Sequence, residues 1–220
     1  MLLDNHKLFK TQIRAVLRAS THKNIKFMLP MISSLYEVRA SKEIIDQCKS
    51  ELKKEGKHFD KHMSVGIMIE IPSAAVMMQD FAGEVDFASI GTNDLIQYLL
   101  AVDRGNDIVS NIYQEFHPAV VRTLYHIINN GKKTKTPVSM CGEMAADPFA
   151  VPLLIGLGLE SLSVSASAIP HIKKIIRSID LKEVELLANK CLELKTEKEI
   201  NDVIHEYYNR KVKNQITNLY

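Results

Sequence analysis

Apolar runs of strand length alternate with amphipathic stretches along most of the chain. Residues 25–32, 65–72, 86–90, 136–141 and 161–165 read as five strand candidates. Between and after them, helical spacing predicts helices over residues 4–20, 35–56, 73–81, about 93–101 and 118 to about 131. A further helix follows Asp147-Pro148 and ends in Gly156-Leu157-Gly158, and the remainder, 168–213, is helical with a charged tail. Gly56 reads as a helix stop and Pro118 as a first helical position. Strands alternating with helices predict an α/β fold with a parallel sheet and helix crossovers. In parallel architectures the functional groups gather beyond the carboxyl ends of the strands. Glu70, Asn93-Asp94, Cys141 and the Pro30-Met31 loop all fall at such ends, which predicts a single site.

Composition narrows the function more than the fold. With 220 residues, 46% hydrophobic and 25% charged, the chain has the make-up of a globular domain with a sizeable core. A formal net charge of +2 gives no bulk electrostatic reason to expect a nucleic-acid or membrane-surface partner. The longest nearly apolar run, Phe149 to Leu159, is far short of the ~20 residues of a membrane span. The charged start, MLLDNHKLFK, does not read as a signal peptide. Three cysteines, Cys48, Cys141 and Cys191, with no CxxC pair, disfavour a disulfide framework and a cysteine zinc site, so a cytoplasmic location is expected.

Each candidate residue carries a plain reading beside a chemical one. Asn93-Asp94 follows Gly91 where a helix begins, so it is either an N-cap or part of a site. Glu70 lies within Ile67-Met68-Ile69-Glu70-Ile71-Pro72, and a carboxylate there needs either a structural ion pair or a bound cation. Two hard carboxylates on adjacent strand ends, Glu70 and Asp94, suit Mg²⁺, whereas His117 and His126 lack zinc-ligand spacing. Arg104, flanked by Asp103 and Asp107, is either a loop ion pair or a fork-shaped clamp for a carboxylate or phosphate. It is the one arginine of seven outside a predicted helix. Cys141 is either a small apolar filler or a proton donor, since a thiol is mostly protonated at neutral pH.

The segment Gly91-Thr92-Asn93-Asp94-Leu95-Ile96-Gln97-Tyr98, running into Leu100-Ala101-Val102-Asp103-Arg104-Gly105-Asn106, resembles the phosphoenolpyruvate-protein phosphotransferase family, the enzyme I proteins of the bacterial sugar phosphotransferase system. Phe9 to Ser20, Met28-Leu29-Pro30-Met31-Ile32, Ile69-Glu70-Ile71-Pro72-Ser73-Ala74-Ala75 and Met140-Cys141-Gly142-Glu143-Met144-Ala145 extend the likeness over nearly the whole chain. Pyruvate phosphate dikinases and phosphoenolpyruvate synthases share the Asn-Asp motif, but the Asp-Arg-Gly-Asn loop favours enzyme I. The resemblance implies a (β/α)₈ TIM barrel whose strand ends bind phosphoenolpyruvate and Mg²⁺. It implies Glu70 and Asp94 as the Mg²⁺ ligands, and Asn93, Asp94 and Arg104 as substrate contacts. It implies Cys141 as the proton donor that turns pyruvate enolate into pyruvate. A homodimer and a histidine-containing carrier protein as phosphate acceptor downstream are implied in the same way.

The family carries a phosphohistidine domain and two further phosphate-binding arginines ahead of the matched region. Neither feature falls within these 220 residues. Five strand candidates against eight, and 220 residues against ~250, predict one domain holding the last five β/α units of the barrel. Without an acceptor histidine such a segment is not expected to complete phosphoryl transfer alone. Two other readings stay open: a non-catalytic association module, and an independent metal-dependent lyase on a smaller α/β fold.

Overall fold

The computed structural model describes residues 3–106, 108–109 and 112–213. Five strands, β1 (Phe27–Leu29), β2 (Val65–Ile69), β3 (Phe87–Gly91), β4 (Val138–Cys141) and β5 (Ser161–Leu162), form one parallel sheet in the order β1-β2-β3-β4-β5. Each strand therefore pairs with its chain neighbour, as in successive turns of a β/α barrel. Helices α1 (His6–Ala19), α2 (Leu35–Lys54), α3 (Pro72–Val76), α4 (Met78–Phe81) and α5 (Thr92–Leu99) accompany the first three strands. Helices α6 (Pro118–Thr134) and α7 (Ala150–Gly156) flank β4, and α8 (Ile169–Ser178), α9 (Leu181–Glu193) and α10 (Glu197–Tyr207) follow β5. No helix among the described residues is long and apolar enough to cross a membrane.

Register assigns the two faces of the sheet. Leu29, Ile67 and Ala88 align with Val138, and Ile69 and Ile90 with Met140, on the face that the helices cover. All of these except Val138 are fully buried, and they form the core with Leu124, Ile127 and Leu153 from α6 and α7. The opposite face carries Met68, Ser89 and Ser139 in one row, with Cys141 beside Gly91 one step further along. It is polar and mostly half-buried, and β1 and β5 stand at the edges of the sheet.

Boundaries depart from the sequence pattern where the backbone turns. β1 keeps only three of the eight residues of its apolar run, because Pro30 follows and Met31 adopts a left-handed conformation at φ +54°. The helix expected over 73–81 is broken at Met77, whose carbonyl takes the N–H of Asp80 at 2.9 Å and closes a tighter turn. At α2 the pattern holds, fastened by a capping box of Ser34 and Glu37.

Candidate functional site

Glu70 follows β2 and lies between the turn after β1 and the end of β3. Its side chain is 4% exposed, and Oε1 accepts a hydrogen bond of 2.6 Å from the backbone N–H of Met31, which the left-handed turn after β1 aims at it. Burial pushes the Glu70 carboxyl up. The Met31 bond opposes that shift, and the neighbouring Asp94 carboxyl reinforces it. Of the two readings offered for Glu70, a structural ion pair finds no partner among the described residues, where its neighbours are the Met31 N–H and the Asp94 carboxyl.

Glycine at position 91 makes that arrangement possible. A Cβ there would stand 2.9 Å from Glu70 Oε2 and 3.0 Å from Met68 Sδ. Helix α5 starts at once, with Gly91 as N-cap and no side-chain capping bond, so Asn93 is not the cap that its residue type suggests. Thr92 and Asn93 instead reach across to the end of β4. Thr92 Oγ1 donates to the Cys141 carbonyl at 3.0 Å, and Asn93 Oδ1 accepts from Glu143 N–H at 3.0 Å. Gly142 lies under this clasp with φ +94° and ψ 179°.

Cys141 ends β4 on the polar face of the sheet. Its thiol donates to the Ile90 carbonyl at 3.5 Å, and its sulfur lies 3.7 Å from Ser89 Oγ. Arg104 pairs with Glu143 at 3.3 Å rather than with its loop neighbour Asp103, which accepts instead from Gly105 N–H. Both partners are exposed, at 41% and 74%. Asp107 lies outside the described residues. His117 caps α6 by accepting from Ala119 N–H, and His126 lies against the Val76 carbonyl, so both histidines have structural partners.

Three further residues act on the group, of which sequence reasoning singled out only Asp147, and that as the start of a helix. The Glu115 carboxyl is pushed up to about 7, by burial first and then by Asp147 and Glu143. The Asp147 carboxyl is also raised, chiefly by burial, against the pull of the Phe149 and Ala150 N–H groups and of His205. Tyr113 carries a buried hydroxyl with no hydrogen-bond partner among the described residues. Nothing local marks Tyr113 and Glu115, which follow no periodicity and acquire their character from the fold, whereas Asp147 is marked by its place before a helix, where it accepts from Phe149 N–H.

Glu115 gives a pH dependence with a definite sign. Between its unfolded value, 4.5, and about 7, the folded chain holds a proton that the unfolded chain has released, so stability falls as pH rises through that window. Glu115→Gln is expected to lose less melting temperature than the parent chain between pH ~5 and ~7.5 in scanning calorimetry. Equal losses would contradict the assignment.

Glu70 and Asp94 supply oxygen ligands only, and no group of three or more His, Cys, Asp or Glu residues poised for a metal occurs among the described residues. Two carboxylates nonetheless match what a protein usually offers Mg²⁺. Three clefts, of about 610 Å³ on α2, about 490 Å³ beside Lys132 and Gly158 and about 380 Å³ between α9 and α10, are lined by none of these residues.

Comparison with known proteins matches residues 1–181 to the family described as PEP-utilising enzyme, PEP-binding domain. The phosphoenolpyruvate-protein phosphotransferase of Haemophilus influenzae is 44% identical over 205 residues, covering 93% of this chain and 36% of that protein. The proteins of the same name from Listeria monocytogenes and Bacillus subtilis are 45% and 43% identical, over 92% and 94% of this chain. The chain spans 36% of the length of each of these relatives. Among solved structures, a citrate lyase from Burkholderia xenovorans superposes with a TM-score of 0.56 at 15% identity, covering 91% of this chain and 68% of that one. That likeness concerns the fold alone.

Proposed function

We propose, for a chain that belongs to the family of PEP-utilising enzymes through their PEP-binding domain, that its 220 residues act as one domain that binds phosphoenolpyruvate at the ends of β1 to β4 and protonates the enolate left when phosphate departs. The observation that carries this reading is the convergence of Glu70, Asn93, Asp94, Arg104 and Cys141 at one end of a parallel sheet.

Glu70 and Asp94 would hold Mg²⁺, and the buried, charge-crowded Glu70 is the kind of carboxyl that a bound cation relieves. When bound, the ion offsets negative charge on the phosphate and enolate oxygens. Asn93, fixed through its Oδ1 by Glu143 N–H, keeps its NH₂ end as a donor for a phosphate oxygen. Arg104 exchanges Glu143 for an anionic group of the ligand, an exchange that costs little because the Glu143 pair is exposed. As the bond between phosphorus and the enol oxygen breaks, the Cys141 thiol delivers its proton to the methylene carbon and pyruvate forms.

In a protein of the relatives' length the phosphoryl group would pass to a histidine of that protein and on to a histidine-containing carrier, the first step of sugar uptake in the cytoplasm. The Asp103-Arg104-Gly105-Asn106 loop favours this over a pyruvate phosphate dikinase or phosphoenolpyruvate synthase role. Homodimerisation is supported by exposed apolar side chains on adjoining elements: Val76 on α3, Tyr125 on α6 and Tyr98 on α5. A purely associative role would account for that surface but not for the carboxyl pair.

The chemistry is testable without an acceptor histidine. Incubated with pyruvate and Mg²⁺ in D₂O, the chain is expected to exchange the pyruvate methyl protons, followed by proton NMR. Cys141→Ala is expected to slow the exchange at least about a hundredfold. Equal rates in both proteins would remove Cys141 from the reaction.

A further inference from the structure

Tyr113 lies in the segment between α5 and α6 that also carries Arg104. Its ring packs against the core, while its hydroxyl is buried with no hydrogen-bond partner among the described residues. A buried polar atom left unpaired costs stability and returns nothing to the folded chain, unless a partner arrives in another state. The charged groups acting on this hydroxyl are Glu115, Arg104, Glu143 and Asp94, and the last three belong to the group at the strand ends. Burial, reinforced by Glu115, pushes the phenol up to about 12, so it remains a neutral donor at any working pH.

We propose that Tyr113 is a further ligand-binding residue whose hydroxyl donates to an anionic oxygen of the ligand that Arg104 engages. This rests on the reading of the site as a phosphoenolpyruvate site. The ligand brings acceptors into a region whose described side chains leave the hydroxyl unmatched. Arg104 and Tyr113 then grip it from one segment, Arg104 by charge and Tyr113 by a directed neutral bond. The free chain keeps Arg104 on Glu143 and the phenol unsatisfied. Binding replaces the first contact and completes the second.

Tyr113→Phe removes only the oxygen, and two readouts separate the possibilities. The unliganded variant is expected to melt at the same temperature as the parent chain or slightly higher, since no bond is lost. In calorimetric titration with phosphoenolpyruvate and Mg²⁺, its Kd is expected to be about tenfold weaker. Unchanged affinity in the variant, with the parent chain binding normally, overturns the role of Tyr113 and leaves the site reading in place. A melting temperature several degrees lower shows that the hydroxyl serves the unliganded fold and also overturns it. Absence of Mg²⁺-dependent binding in the parent chain overturns the site reading and the inference with it.

Discussion

Gly142→Ala is expected to unfold at a temperature about 5–15 °C below the parent chain, a loss on the order of 2–4 kcal/mol. Two independent costs add. With φ +94° and ψ 179° the residue occupies a conformation almost restricted to glycine, which alone costs about 1–3 kcal/mol for another residue. A Cβ would also stand 2.3 Å from Thr92 Oγ1 and 2.9 Å from Asn93 Oδ1. Those atoms hold the Cys141 carbonyl and the Glu143 N–H, so relieving the clash breaks the clasp between β3 and β4. The variant should therefore lose ligand binding together with stability. Gly83→Ala is the control, because a Cβ there meets nothing within 4 Å and the melting temperature should barely move. Equal melting of Gly142→Ala and the parent chain in circular dichroism would show that the clasp is not built as described.

Asp94→Asn should move two readouts in opposite directions. The substitution keeps the size of the side chain and removes a carboxylate beside buried Glu70, whose pKa that carboxylate helps to raise. The unliganded variant is therefore expected to melt about 1–3 °C higher, as happens when a functional site is relieved of like charge. In the proposed site the same change would remove one of two hard ligands for Mg²⁺ and the partner of Asn93 at the phosphate. Mg²⁺-dependent affinity for phosphoenolpyruvate should fall by more than about a hundredfold. A lower melting temperature with affinity retained would mean that Asp94 is structural.

The strands were legible where apolar runs are bounded by glycine or proline, as at Val65–Ile69 and Phe87–Gly91. The placing of Glu70, Asn93-Asp94 and Cys141 on one side of the sheet was legible too, because parallel strands all end on that side. Contacts that cross between strand ends were not legible. Asn93 has the chemistry of a helix cap, yet its amide is committed to Glu143, fifty residues on. The partner of Arg104 likewise lies 39 residues away rather than in its own acidic loop. The raised Glu115 and the Tyr113 hydroxyl, unpaired among the described residues, arise from burial, which a loop sequence without periodicity does not encode locally.

The central claim is that Glu70, Asp94, Asn93 and Arg104 form a working ligand site in this chain. Calorimetric titration of phosphoenolpyruvate into the protein, with and without Mg²⁺, tests it most directly. The account predicts saturable binding that requires Mg²⁺. No heat up to millimolar ligand, or equal binding in the absence of Mg²⁺, would contradict it.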